Sequence, residues 1–353
     1  MDFRSDNVTG AAPQILAALA SAGAGTRSSY GEDQQTRRVE AALRELFQTE
    51  LAVCFVATGT AANSLGLALL SPPWGQIYCH QDAHVAADEC GAPEFYTGGA
   101  KLCPLPGEHG RVRAEQLAAL LPGNQGVVHQ VQPAAVSLSQ ATEAGTSYRP
   151  ADIAAIAEVA HRHGLRVHMD GARFANSLVF LGTTAADLTW RAGVDVLSFG
   201  ASKNGALAAE AVIVFDPTLA ASLAYRRKRG GHLLSKMRLL SAQLEAYLAD
   251  GLWLQLARHA NAMAARLAAG LAGVPGVRLC HPVEANEVFV EAPEPMIRAL
   301  LADGFQFYRW PGEHDTQLRL VAAFDTRSSD VEALIGAAAR HAKSAERHTG
   351  STL

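Results

Sequence analysis

Up to residue 215, short apolar runs alternate with segments whose apolar positions recur every three to four residues. The runs are LAVCFV (51–56), QIYC (76–79), GVVHQVQ (126–132), LRVHM (165–169), VDVLSF (194–199) and AVIVF (211–215). They are too short for helices and several are rich in β-branched residues, which predicts strands. Between them, RRVEAALRELF (37–47) and ADIAAIAEVAHRHG (151–164) carry helical spacing. Strands in alternation with helices predict an α/β domain: a mostly parallel sheet with helices on both faces. Ligands of such sheets bind beyond the carboxyl ends of the strands, so the residues that follow each run are the candidates for chemistry.

The pattern changes near residue 240. An alanine-rich stretch at 243–273 has helical spacing, and short apolar runs follow at 277–280, 286–291, 305–310 and 317–324, before a last helix over 328–343. This predicts a smaller α+β domain at the C-terminal end, about 100 residues long, a usual size for one unit. The expected organisation is an N-terminal segment (1–30), a large domain (31–245), a small domain (246–343) and a polar, frayed tail (344–353).

Composition narrows the function classes. The net charge is −4 and the pI near 6.4, without the basic stripe of a nucleic-acid-binding protein. No apolar run approaches the roughly 20 residues of a membrane span. The start, MDFRSDNVTG, lacks the apolar stretch of a signal peptide. The five cysteines show no CxxC spacing, which suits reduced packing thiols and a cytoplasmic protein. HDT (314–316) has no partner at metal-ligand spacing, so no metal is expected.

Three stretches carry candidate chemistry. SFGASKNG (198–205) places Lys203 just after a predicted strand, HMDGARFANS (168–177) places Asp170 after another, and CFVATGTAAN (54–63) runs from a strand into a helix start near Thr60. Each has an ordinary reading: a solvated lysine, a helix cap, a common start signal. Together they set an amine, a carboxylate and free backbone N–H groups on one sheet edge. Pyridoxal phosphate needs that set: a lysine for its aldehyde, a carboxylate for its ring nitrogen and an anion cradle for its phosphate.

The chain resembles the threonine aldolase family of pyridoxal-phosphate enzymes, which share the fold of aspartate aminotransferase. The resemblance rests on RSDNVTG (4–10), YGEDQQT (30–36), TGTAAN (58–63), HMDGARFANS (168–177), SFGASKNG (198–205) and LRLVAAFDT (318–326), in that order. CHQDAHVAADECGAPEF (79–95) is similar to the bacterial low-specificity L-threonine aldolases, with phenylserine-cleaving enzymes nearby. The resemblance implies that Lys203 binds the cofactor, Asp170 pairs with its ring nitrogen, Gly59 and Thr60 hold its phosphate, and His84, a catalytic residue, stacks on the ring and contacts the substrate hydroxyl. It implies that Arg173 and Arg319, assisted by Ser5, hold the substrate carboxylate, with Arg173 also beside the cofactor. Tyr30 would reach a neighbouring subunit's site and Arg227 would lie near the phosphate across that interface, in a homodimer or homotetramer. The implied reaction is retro-aldol cleavage of L-3-hydroxy-α-amino acids to glycine and an aldehyde. A β-eliminating lyase, an aminotransferase and a silent cofactor-binding protein stay open beside it. One departure stands out. A second histidine follows the middle strand in the better-known branch, but VQPAAVSLSQ (131–140) carries Ala134 and Ala135 there, and His129 falls inside the predicted strand. The second histidine is expected to be missing, which leaves the acceptor of the β-hydroxyl proton open.

Overall fold

The structure is a computed structural model that describes residues 1–121, 125–311 and 315–349. Its large sheet contains β1 (Ala52–Val56), β2 (Gly75–His80), β3 (Lys101–Leu105), β4 (Gln132–Ser139), β5 (Arg166–Gly171), β6 (Val196–Gly200) and β7 (Glu210–Val214), in the order β1-β7-β6-β5-β4-β2-β3. All run the same way except β7, which is antiparallel to both β1 and β6. The connection from Gly200 to Glu210 explains the reversal: it is shorter than the dozen residues a parallel crossover needs. Every position of β6 and β7 is buried, the mark of strands covered on both faces.

Two apolar layers provide that cover. On one face, Phe47, Ile153, Ile156, Phe174, Phe199 and Trp253 belong to the larger core cluster. On the other, the Gly59–Leu70 helix buries Ala61, Ala62, Leu65 and Leu67 with Val56, Val196 and Val212. A second sheet, β8 (Arg278–Leu279), β9 (Glu287–Glu291), β10 (Tyr308–Arg309) and β11 (Gln317–Val321), is antiparallel in the order β10-β11-β9-β8 and has its own core. The expected α/β large domain and α+β small domain are both present. No helix among the described residues is long and apolar enough to cross a membrane.

Several expectations shift. The strand expected at 126–132 begins only at Gln132. Residues 125–130 are exposed, Val128 at 93%, and His129 therefore lies in an exposed turn rather than in a strand. Pro133 reads as a stop, yet a proline near the start of a strand is tolerated. Ala134 and Ala135 are buried inside β4 and do not line a site. Strand β3, KLCPL, escaped notice because Lys101 and Pro104 interrupt its apolar pattern, as is common at a sheet edge. The last helix runs from Ser328 to Thr349, into the expected tail, since nothing in KSAERHT breaks a helix; residues 350–353 and His314 lie outside the described residues.

The expected boundary at 245/246 is not where the cores divide. The Leu252–Ala272 helix gives Leu252, Trp253 and Ala257 to the large core and Ala264, Leu267 and Leu271 to the small one. The N-terminal segment also joins both domains. Phe3 donates to the Gln306 carbonyl at 2.7 Å and accepts from the Val321 N–H at 2.8 Å, while the Ala12 N–H donates to the Gly205 carbonyl at 2.8 Å.

Candidate active site

The chemistry collects at one sheet edge. Five parallel strands end there, and β7, being reversed, begins there. Thr58–Thr60 follow β1, His84 follows β2, Glu143 follows β4, Asp170 closes β5, Lys203 follows β6 and Glu210 opens β7. Side chains or backbone of all of these line one cavity of about 390 Å³.

Each group is held by its surroundings. Asp170 is 5% exposed; its carboxylate accepts from Asn63 Nδ2 at 2.8 Å and from the Ala172 N–H at 3.0 Å. Asn63 Nδ2 also donates to Glu89 Oε1 at 2.8 Å, and the same oxygen meets His84 Nδ1 at 3.0 Å. The bond to Glu89 raises the pKa of His84, against the effect of its burial. His84, Glu89 and Asp170 offer ligand atoms within 4.8 Å of one another, a spacing a cation also accepts, but Asn63 and the His84–Glu89 contact already tie them together.

Lys203 sits in a tight turn, Ser202–Asn204. Asn204 Nδ2 anchors the turn to the Tyr247 hydroxyl at 2.8 Å and the Trp253 carbonyl at 2.9 Å. Gly205 has φ +101°, and a Cβ there would meet Leu256 at 2.9 Å, so glycine is required to close the turn. Below it, Glu210 accepts from the Ala201 and Ser202 N–H groups, both at 3.3 Å, and burial pushes its carboxyl up to about 7.

Thr58 caps the following helix by accepting from the Ala61 N–H at 3.1 Å. A Cβ built on Gly59 would meet nothing within 4 Å, so the first turn faces open space in the cavity. That is the geometry of an anion cradle. An amine, an opposed carboxylate and this cradle around one cavity fit pyridoxal phosphate. Not every histidine of the motifs belongs to the site: His168, bonded to Ser137 and Ser198 at 2.9 and 3.0 Å, is a core residue whose pKa burial lowers to about 4.

The two arginines are placed differently from a bare carboxylate clamp. Arg173 is 4% exposed and donates to both Asp6 oxygens, at 2.8 and 3.0 Å, while its Nη1 lies 3.2 Å from Glu287. Arg319 donates through Nε and Nη2 to Glu287 Oε1, at 3.1 and 2.8 Å, and lies over the Trp310 ring. Asp6, Arg173, Glu287 and Arg319 thus form a charge-balanced chain at the domain junction. Burial works against the Asp6 carboxylate, but Arg173 and Lys203 outweigh it and hold its pKa below the ordinary value.

The remaining expected residues lie outside the cavity lining. Ser5 accepts from the Asn7 N–H at 3.1 Å, and Asn7 lines the cavity in its place. Tyr30 is 48% exposed with Lys228 over its ring, and Arg227 is half-buried with no partner for its Nε. Sequence reasoning missed Asn63, Glu89, Glu143 and Glu210, which line the cavity, and Asp6 and Glu287, which hold the arginines. Asn63 and Glu89 lay inside quoted motifs, but a polar residue on a helix (Asn63) or in a bend (Glu89) gives no signal of its own. Glu143 lay just beyond the segment searched for a second histidine.

The family model of beta-eliminating lyases matches residues 2–294. A low-specificity L-threonine aldolase of Pseudomonas aeruginosa is 45% identical over 324 residues, covering 92% of this chain and 93% of the relative. The solved threonine aldolase of Leishmania major superposes with a TM-score of 0.90 at 29% identity, covering 97% of this chain and 99% of that one. In fold alone, a serine palmitoyltransferase solved with pyridoxal phosphate matches with a TM-score of 0.72 at 20% identity, over 98% of this chain and 87% of the other. The architecture is that of the fold type I pyridoxal-phosphate enzymes. With this sheet edge, this cavity and these likenesses, the chain belongs to the beta-eliminating lyases and, among them, to the low-specificity L-threonine aldolases.

Proposed function

We propose that the cavity binds pyridoxal phosphate and cleaves L-3-hydroxy-α-amino acids, among them L-threonine, L-allo-threonine and L-phenylserine, to glycine and an aldehyde. The observation that carries this reading is the convergence of Lys203, Asp170 and the open helix start at Gly59 on one cavity. Lys203 would bind the cofactor aldehyde, Asp170 its ring nitrogen, and the first turn after Thr58 its phosphate, with His84 against the ring. When bound, the cofactor accepts the electron pair of the bond that breaks at Cα.

The protein's own groups do the rest. Asn63 and the Ala172 N–H fix the direction of the Asp170 carboxylate. The Asp6–Arg173–Glu287–Arg319 chain would present cationic charge to the substrate carboxylate. Arg319 is the better placed to receive it, since its Nη1 has no partner among the described residues whereas every nitrogen of Arg173 is engaged. Fixing the carboxylate turns the Cα–Cβ bond toward the direction in which it breaks, which is catalysis by positioning.

Product analysis tests the reading. The enzyme supplied with cofactor should release an aldehyde and glycine from each substrate. Ammonia with a keto acid would instead point to a β-eliminating lyase or aminotransferase. We further propose a cytoplasmic homo-oligomer, a dimer or tetramer. The free, buried thiols of Cys54 and Cys79 support a reducing compartment.

A further inference from the structure

Four acids line the cavity: Glu89, Glu143, Asp170 and Glu210. Three accept hydrogen bonds: Asp170 from Asn63 and Ala172, Glu89 from Asn63 with His84 alongside, and Glu210 from Ala201 and Ser202. Among the described residues, no donor reaches the Glu143 carboxylate. Glu143 is half-buried and faces the cavity, so its carboxyl is available to a ligand rather than spent on the packing of the site.

The turn that carries it is built to hold one position. The Gln140 N–H donates to the Asp170 carbonyl at 2.7 Å, and the Gln140 side chain bonds both the N–H and the carbonyl of Tyr148, each at 3.0 Å. The Thr142 and Thr146 hydroxyls lie 2.8 Å apart and 3.1 and 2.6 Å from the His109 carbonyl, so two hydroxyl protons tie these three oxygens together. Gly145, at φ +71°, passes so close to Glu287 of the small domain that a Cβ would lie 3.0 Å from its carbonyl oxygen. A group that moves a proton needs this kind of fixed support.

We propose that Glu143 is the acid–base group for the β-hydroxyl of the substrate. The proposal rests on the retro-aldol reading above and fills the role for which a second histidine was sought. The charges that act on Glu143 come from Lys203 and Asp170 on the cofactor side and from Arg173 and Glu287 on the carboxylate side. Glu143 lines the same cavity as Lys203 and Asp170, so its carboxyl can meet the side chain of an amino acid bound there. His84 is less free for the task, because its Nδ1 is engaged by Glu89. Burial raises the Glu143 pKa above the ordinary carboxylate value, against the pull of Lys203 and Arg173 and with the repulsion of Glu287 and Asp170, which makes it a stronger base.

In the step itself, the hydroxyl proton passes to the Glu143 carboxylate. The O–H electron pair becomes the second bond of the aldehyde carbonyl, and the Cα–Cβ pair stays with the glycine half. One proton is later taken up at Cα, so the proton count closes and no oxidant or reductant is needed.

The test compares two reactions of Glu143→Gln in the cofactor-loaded enzyme. Cleavage of L-threonine needs the β-hydroxyl; exchange of the glycine Cα proton for deuterium, followed by NMR, does not. The expected result is a cleavage rate lower by about 10²–10⁴-fold, the usual share of a positioned acid–base group, with exchange and KM changed only a few-fold. The acidic limb of the kcat/KM profile should vanish in Glu143→Gln and persist in His84→Phe. Glu143→Asp, which keeps the charge, should recover part of the rate. Cleavage by Glu143→Gln within a few-fold of the unmodified enzyme would overturn the proposal, as would parallel loss of cleavage and exchange. A wild-type enzyme that exchanges glycine but releases no aldehyde would overturn the retro-aldol reading itself.

Discussion

At the scale of single residues, the site is a set of charges whose partners determine what each can do. Lys203→Ala should remove turnover, and borohydride should no longer fix the cofactor to the chain, because no other lysine among the described residues lines the cavity. A reduced adduct recovered on another lysine would move the assignment. Asp170→Asn keeps an acceptor for Asn63 or Ala172 but loses the charge that, on the proposed reading, would face the ring nitrogen. A hydrogen bond to a charged group is worth about 1.5–3 kcal/mol, so cofactor affinity measured by titration should fall by about 10–150-fold. His84 brings a pH dependence. Its pKa is raised by the Glu89 bond, so its stabilising effect is complete below about 6.5 and is lost as pH rises through the raised value. The melting-temperature gap between wild type and His84→Phe should therefore be wider at pH 6 than at pH 9. A gap independent of pH would mean that the His84–Glu89 contact carries no charge.

At the scale of elements, what could be read from the chain follows from how each signal arises. Strands β5, β6 and β7 announced themselves because strands buried on both faces are continuous apolar runs. Lys203, Asp170 and the helix start after Thr58 were legible because each follows such a run. The turn bearing Glu143 was not, since β4 carries a proline at its second position, ends in a serine and was sought six residues too early. Asp6 and Glu287 were hidden for another reason: their role depends on β9 and the N-terminal segment meeting across the domain junction, which no local pattern records. That junction yields a prediction. Glu287 has no exposed side-chain surface and bridges two arginines. Breaking a buried pair on one side costs about 3–5 kcal/mol, somewhat less here because Arg319 is 13% exposed. Glu287→Gln should lower the urea midpoint by a corresponding amount and raise the KM for substrate, as Arg319 loses its brace. Unchanged stability would show that solvent or Asp6 compensates both guanidinium groups.

At the scale of the whole molecule, the surface carries exposed apolar groups: Leu207, which lines the cavity, is 54% exposed, and Tyr225 and Phe95, outside the lining, are 79% and 81% exposed. Tyr30 and Arg227, both expected near the site, lie outside the lining of their own chain's cavity, and the buried Nε of Arg227 lacks a partner. A second copy of the chain would cover these groups, and closed two-fold pairs are the commonest way for identical chains to do so. If Tyr30 serves the neighbouring site, two damaged chains can repair one another. A Lys203→Ala chain and a Tyr30→Ala chain, each with little activity, would form a mixed dimer in which one site carries both changes and the other carries neither. Unfolded together and refolded in equal amounts, they should regain about a quarter of the wild-type activity, since half of the random pairs are mixed and each has one intact site. Sedimentation of the same mixture should show no monomer at assay concentration. A refolded mixture no more active than its separate parts would place Tyr30 outside the neighbouring site and confine each site to a single chain.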